Sequence, residues 1–198
     1  MRSRLMLTGV LMLGVALGSL TVAAPQAGQP GKNMAVAQKT GPVKPPSSNA
    51  EKMKSAMSAA PLAVAKDATV VDMPSMKVLR QGTNGWTCIP DGPSPGVDPM
   101  CLDKNGMEWA DAWMHRKDPP ADKLGFGYML MGGSDASNTD PFATEPHSGD
   151  RWVDTGPHVM VLNIGNRFAG YPTTAKNTKL PYVMFPNTPY AHLMIPIK

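Results

Sequence analysis

Cys88 and Cys101 bracket the twelve residues IPDGPSPGVDPM, and they constrain this chain's fold more than any other pair of positions. The stretch between them is all turn chemistry, four prolines and two glycines among aspartates, and would be floppy if left unclosed. Whether the cysteines pair depends on the compartment, and the start of the chain speaks to that. Basic MRSR is followed by apolar LMLTGVLMLGVALGSLTV and then by small-residue AAPQA, the order of a secretory signal peptide. Residues 1–27 therefore read as a signal peptide, and the mature protein as exported, periplasmic or secreted. An even cysteine pair in that setting reads as a disulfide. Cys-x12-Cys also lacks the short spacing of a metal knuckle. Closing a loop of this size contributes about 3 kcal/mol in the chain-entropy view.

Residues 28–67 are rich in Pro, Ala, Ser and Lys and contain no aromatic residue. Such a composition buries too little apolar surface to offset its ordering entropy, so it reads as a flexible tether with a transient helix over AEKMKSAMSAA. Residues 68–198 then form one globular domain of ordinary size. The tether and signal hold most of the excess positive charge. From Ala68 onward 11 basic residues stand against 13 acidic ones, so no basic stripe for nucleic acid is expected on the domain. The lysines leave envelope contact through the tether as the partner reading. No segment after the signal is apolar for long enough to span a bilayer.

Within the domain, KVLRQGTNGWTCI looks like two short strands around Asn84-Gly85, a hairpin signal. LDKNGMEWADAWMHRK carries Met107, Ala110, Trp113 and Met114 at helical spacing, with Asp103 or Asn105 as the cap and KDPP as the stop. Strands follow in LGFGYMLMGG and around His158–Ile164, and LPYVMFP with YAHLMIPI reads as a closing hairpin. The expected fold class is α+β: a mainly antiparallel sheet of about six strands with one packed helix. A small β-barrel with an inserted helix is the alternative.

Two groups of residues could carry chemistry. The loop GGSDASNTDPFATEPHSGD supplies Ser134, Asp135, Asn138 and Asp140 as candidate ligand groups. Gly132-Gly133-Ser134-Asp135-Ala136 approximates the Gly-x-Ser-x-Gly elbow of serine hydrolases, but no helix follows the serine as that motif needs. Asp135, Asn138, Asp140 and Glu145 offer hard oxygens without the spacing of an EF-hand. An Asx-rich turn bonding its own backbone is the plainer reading.

The second group is a pair of His-x-Met steps, His158-Val159-Met160 and His192-Leu193-Met194. In a strand, residues two apart share a face, so pairing these strands would bring two imidazoles and two thioethers together. Met184, Met129 and Met131 are further candidates. Imidazole plus thioether suits copper(I), because soft sulfur selects the soft monovalent ion. Met is also a common core filler, and core packing is the competing account of all these residues. The His-x-Met steps resemble those of periplasmic copper(I) chaperones serving cytochrome oxidase assembly, and that resemblance implies a copper(I) cofactor or cargo. The chain as a whole resembles exported bacterial proteins without an assigned activity. The functional expectation is a small exported binding or accessory domain of undetermined ligand, with copper(I) at the His-x-Met steps as the candidate. A small serine-dependent hydrolase and a purely structural or interaction domain of the envelope are the alternatives. No activated nucleophile or cofactor fingerprint emerges from the sequence, and the balance leans away from an enzyme.

Overall fold

The computed structural model describes residues 44–93, 96–133, 136–144, 152–165 and 167–197. The signal-peptide expectation, and the first part of the tether, lie outside these residues. Among the described residues no helix is long and apolar enough to cross a membrane.

The fold is α+β, with a mostly antiparallel sheet. Eight strands run in the spatial order β2-β1-β3-β4-β5-β8-β10-β9. They are β1 (Thr69–Asp72), β2 (Lys77–Arg80), β3 (Thr87–Ile89), β4 (Met100–Leu102), β5 (Gly125–Met129), β8 (His158–Leu162), β9 (Tyr182–Met184) and β10 (His192–Pro196). A separate two-stranded ribbon pairs β6 (Ala136–Ser137) with β7 (Trp152–Val153). The sheet is open, with β2 and β9 at its edges, so the barrel alternative is overturned. The expected six-stranded sheet has eight strands, and the single helix becomes three among the described residues: α1 (Asn49–Ser58), α2 (Leu62–Ala65) and α3 (Lys104–Met114).

The Asn84-Gly85 hairpin does not form. β3 pairs with β1, in parallel, and β2 pairs with the other side of β1. Thr69-Val-Val-Asp72 is β-branched and partly buried, and it takes the central place that a two-strand hairpin would leave empty. Gly85 keeps its positive φ of 78° as a turn residue, but the turn leads across β1 rather than back along β2.

The stretch read as tether contributes α1 and α2 to the fold. Ser48 accepts a hydrogen bond from the Glu51 amide, and the Glu51 carboxylate accepts from the Ser48 amide, closing a capping box. Those bonds hold the Glu51 carboxyl well below its usual range, at about 2. Ala56, Ala59 and Ala65 are fully buried beside Val70 and the two cysteines. Lys52 ties the helix to Asp72 at 2.7 Å. Alanine loses no rotamer freedom on burial, so an alanine face packs closely where a hydropathy reading sees little to bury.

Cys88 and Cys101 are directly opposed on β3 and β4 and joined by a disulfide. Their face of the sheet carries α1, with Ala56 O 3.6 Å from Cys101 Sγ. Trp86 and Tyr128 pack on this side, ring centroids 5.3 Å apart. The alternate residues of β4, Met100 and Leu102, join the opposite core, which α3 covers with Trp109 and Ala110. Asp103 caps α3 by accepting from the Gly106 amide at 2.7 Å. Gly125 lets this helix approach β5, since a Cβ there would lie 2.7 Å from Gly106 N.

Candidate metal centre

The α3 face of the sheet can be read row by row from the strand register. Directly opposed residues share a face, and one row crosses five strands: Leu102, Gly127, Met160, Met194 and Tyr182. Gly127 makes this row possible. A Cβ at that position would sit 2.6 Å from Met160 Cε and 2.8 Å from Leu102 Cδ2, so the thioether methyl lies over the bare backbone. On one side of this row, Met129 stands opposite His158, which stands opposite Pro196. On the other side, His192 stands opposite Met184.

The two His-x-Met strands do pair, as β8 and β10, and Met160 faces Met194. They are antiparallel, so their histidines do not coincide. His158 is two residues before Met160, while His192 is level with Leu162, two residues beyond it. That separation is about 13 Å along the strand direction. The two imidazoles therefore lie on opposite sides of this row, with the Met160–Met194 pair between them.

Between α3 and this face lies a cavity of about 350 Å³. Eight of the ten methionines in residues 68–198 line it, with Trp109, Trp113 and His192. Met160, Met184, Met194 and His192 all reach it, as does Met129, whereas Met131 is not on its wall.

Both histidines are held in the same local way. His192 Nδ1 is 2.9 Å from Tyr190 O and His158 Nδ1 is 2.6 Å from Gly156 O. A carbonyl only accepts, so each Nδ1 carries the proton and each Nε2 is left with its lone pair. His158 Nε2 is buried with no hydrogen-bond partner among the described residues. The His192 ring is wedged edge-on between Trp109, at 5.2 Å, and Phe185, at 5.4 Å. Burial pushes the His192 pKa down to about 4, the Tyr190 carbonyl partly offsets this, and the nearby His158 adds to it. His158 is lowered as well, by burial, against the Gly156 bond. Both rings are neutral at ordinary pH, with the free nitrogen that metal ligation uses. Donation of the other nitrogen to a carbonyl is the arrangement that orients ligating histidines.

The candidate loop has a different character. Ser134, Asp135 and Glu145 lie outside the described residues. Ser137 Oγ accepts from the Asp140 amide at 3.0 Å, and Asp140 Oδ1 accepts from the Phe142 amide at 2.8 Å. Asn138 is fully buried and its side-chain amide donates to Thr173 O at 3.0 Å, while its backbone carbonyl accepts from the Phe185 amide at 2.8 Å. Asp140 and Asn138 thus bond neighbouring backbone, and the loop braces the segment that leaves β9. Among the described residues no group of three or more His, Cys, Asp or Glu side chains is arranged to hold a metal; the cluster on the α3 face is built from thioethers instead.

The aromatic residues divide by layer. Trp109 is in the core under α3, and Phe126 is exposed on the opposite face of β5. Sequence reasoning missed Trp109 and Phe185 as flanks of His192. Their helical and loop positions carry no spacing signal that would link them to it.

Comparison of the chain with known protein families, characterised proteins and solved structures finds no match.

Proposed function

We propose that this is an exported binding domain that holds copper(I) in the methionine-lined cavity, through His192 Nε2 and the thioethers of Met184 and Met194, with Met160 adjoining. The observation that carries the reading is the oriented, neutral His192. Its Nδ1 is committed to Tyr190 O, Met184 is its direct cross-strand neighbour, and Met194 is two residues along the same face. One imidazole and several thioethers form a soft, uncharged donor set, which favours a monovalent soft ion over hard divalent ones. A bound copper(I) ion would supply only its own coordination chemistry. The residues here orient the donors and keep water away from them. The signal-like start of the chain and the Cys88–Cys101 disulfide support export, since disulfides persist in oxidising compartments.

The test is anaerobic titration with copper(I) against a chromophoric chelator, repeated on Met184→Leu/Met194→Leu. These swaps nearly conserve core volume, so the fold should survive while affinity falls at least tenfold. An unchanged affinity in the folded variant rejects this donor set.

The size of the cavity favours a second reading. About 350 Å³ exceeds what one ion needs and lies within the range of small-molecule pockets. An apolar ligand held by the adaptable methionines and Trp109 would bind the Met→Leu variant as well as the parent, which separates the two readings.

A further inference from the structure

We infer that His158 and Met129 form a second soft-ion position, across the Met160–Met194 pair from His192 and beside the cavity, whose wall Met129 lines and His158 does not, so that the protein holds two copper(I) ions rather than one. This rests on the copper(I) reading of the cavity but on different residues.

His158 is 1% exposed, and its Nε2 is buried with no hydrogen-bond partner among the described residues. An imidazole nitrogen left so is costly unless something occupies its lone pair. Gly156, at φ 55°, turns the chain so that its carbonyl meets His158 Nδ1 at 2.6 Å, fixing the tautomer that presents Nε2. Met129 is its direct cross-strand neighbour on β5, and Met160 follows two residues along the same face. Both thioether side chains are buried and also line the cavity, which gives an ion a continuous path of soft donors to His158. The hydroxyl of Thr155 is likewise buried without a partner. A Cβ on Gly133 would collide with that hydroxyl and lie 3.4 Å from His158 Cε1, so the space beside the ring depends on a glycine.

The antiparallel register repeats one pattern at each end: a histidine pinned through Nδ1 to a carbonyl two residues back, with a methionine directly across the strand pair. Met160 and Met194 stand between the two ends and adjoin both. Ions at the two ends would be separated by about 13 Å along the strands, with thioethers as stepping points between them.

Native mass spectrometry of the full chain titrated anaerobically with copper(I) tests this. Two ions are expected on the parent, one on Met129→Leu/His158→Gln and one on Met184→Leu/Met194→Leu. Should the His158 variant unfold, Met129→Leu alone, which nearly conserves volume, is expected to weaken one of the two ions at least tenfold. A parent that binds one ion, lost with Met184→Leu/Met194→Leu and indifferent to Met129→Leu, overturns the second position and leaves the first. One ion lost only with Met129→Leu keeps this position and overturns the His192 site. Two ions that both persist in folded Met129→Leu/His158→Gln overturn the inference, and a parent that binds none overturns both sites.

Discussion

Met160 and Met194 face each other directly across β8 and β10, and the Met160 methyl lies over the bare backbone of Gly127. The pair lies midway between His192 and His158, so both candidate positions share it. Met160→Leu/Met194→Leu is therefore expected to weaken copper(I) binding at each end, while thermal stability changes by less than about 1.5 kcal/mol. Chelator competition and a melting curve on the same sample check both halves of that statement.

The histidines also make stability depend on pH. Each has a folded pKa below the unfolded value of about 6.5, so the unfolded chain binds more protons and stability rises with pH across the interval between. Their contribution is complete above about pH 6.5. For His192 it is lost as pH falls through about 4, a loss of about 3 kcal/mol. Asp91 runs the other way. Burial, the first cause, raises it to about 6, with the Asp98 amide that donates to it opposing this and the Asp98 carboxyl adding to it, so its contribution is complete below about pH 3.8 and lost as pH rises through 6. Melting temperatures between pH 4 and 7 should show a reduced acid slope in His192→Gln. An unchanged slope would mean that His192 is not held neutral.

Two glycines on β5 should respond differently to alanine. At Gly125 the obstacle is Gly106 N, part of the α3 backbone, which cannot move alone. Gly125→Ala is expected to cost about 1–3 kcal/mol in denaturant unfolding. At Gly127 the obstacles are the ends of flexible side chains, Met160 Cε and Leu102 Cδ2. Gly127→Ala should be less destabilising, yet it should shift Met160 and lower copper(I) affinity.

Reducing Cys88–Cys101 is expected to lower stability by about 3 kcal/mol. For a chain of this size that corresponds to roughly 6–12 °C in melting temperature. Peptide mapping of protein isolated from its own compartment should find the two cysteines joined; free thiols there would contradict the exported, oxidised state.

The alanine helices predict where the folded unit begins. A chain starting at Ala68 would bare the Cys88, Cys101 and Val70 surface that α1 and α2 cover, and it should melt well below the full chain. Ser48→Ala should cost about 1 kcal/mol by removing the cap. Equal melting of the full chain and the Ala68 start would return residues 44–67 to the role of a tether.

The sequence by itself determined the features that depend on local chemistry. Asp103 as one of two candidate caps of α3, an apolar strand within LGFGYMLMGG, the pairing of β9 with β10 and the Cys88–Cys101 link were legible because each rests on a few neighbouring residues or on cysteine arithmetic. Where competition between distant segments decides, the reading failed. Asn84-Gly85 signals a turn, but it does not say that Thr69–Asp72 will occupy the place beside β3. The alanines of α1 carry almost no hydropathy signal, and only the close surface around the disulfide makes their burial favourable. The site shows the same division. That His158, Met160, His192, Met194 and Met184 can belong to one face follows from the two-residue period of a strand. Which of them are neighbours does not, because register is set by the whole sheet: antiparallel pairing aligned the two methionines and, by the same step, sent the two histidines to opposite ends.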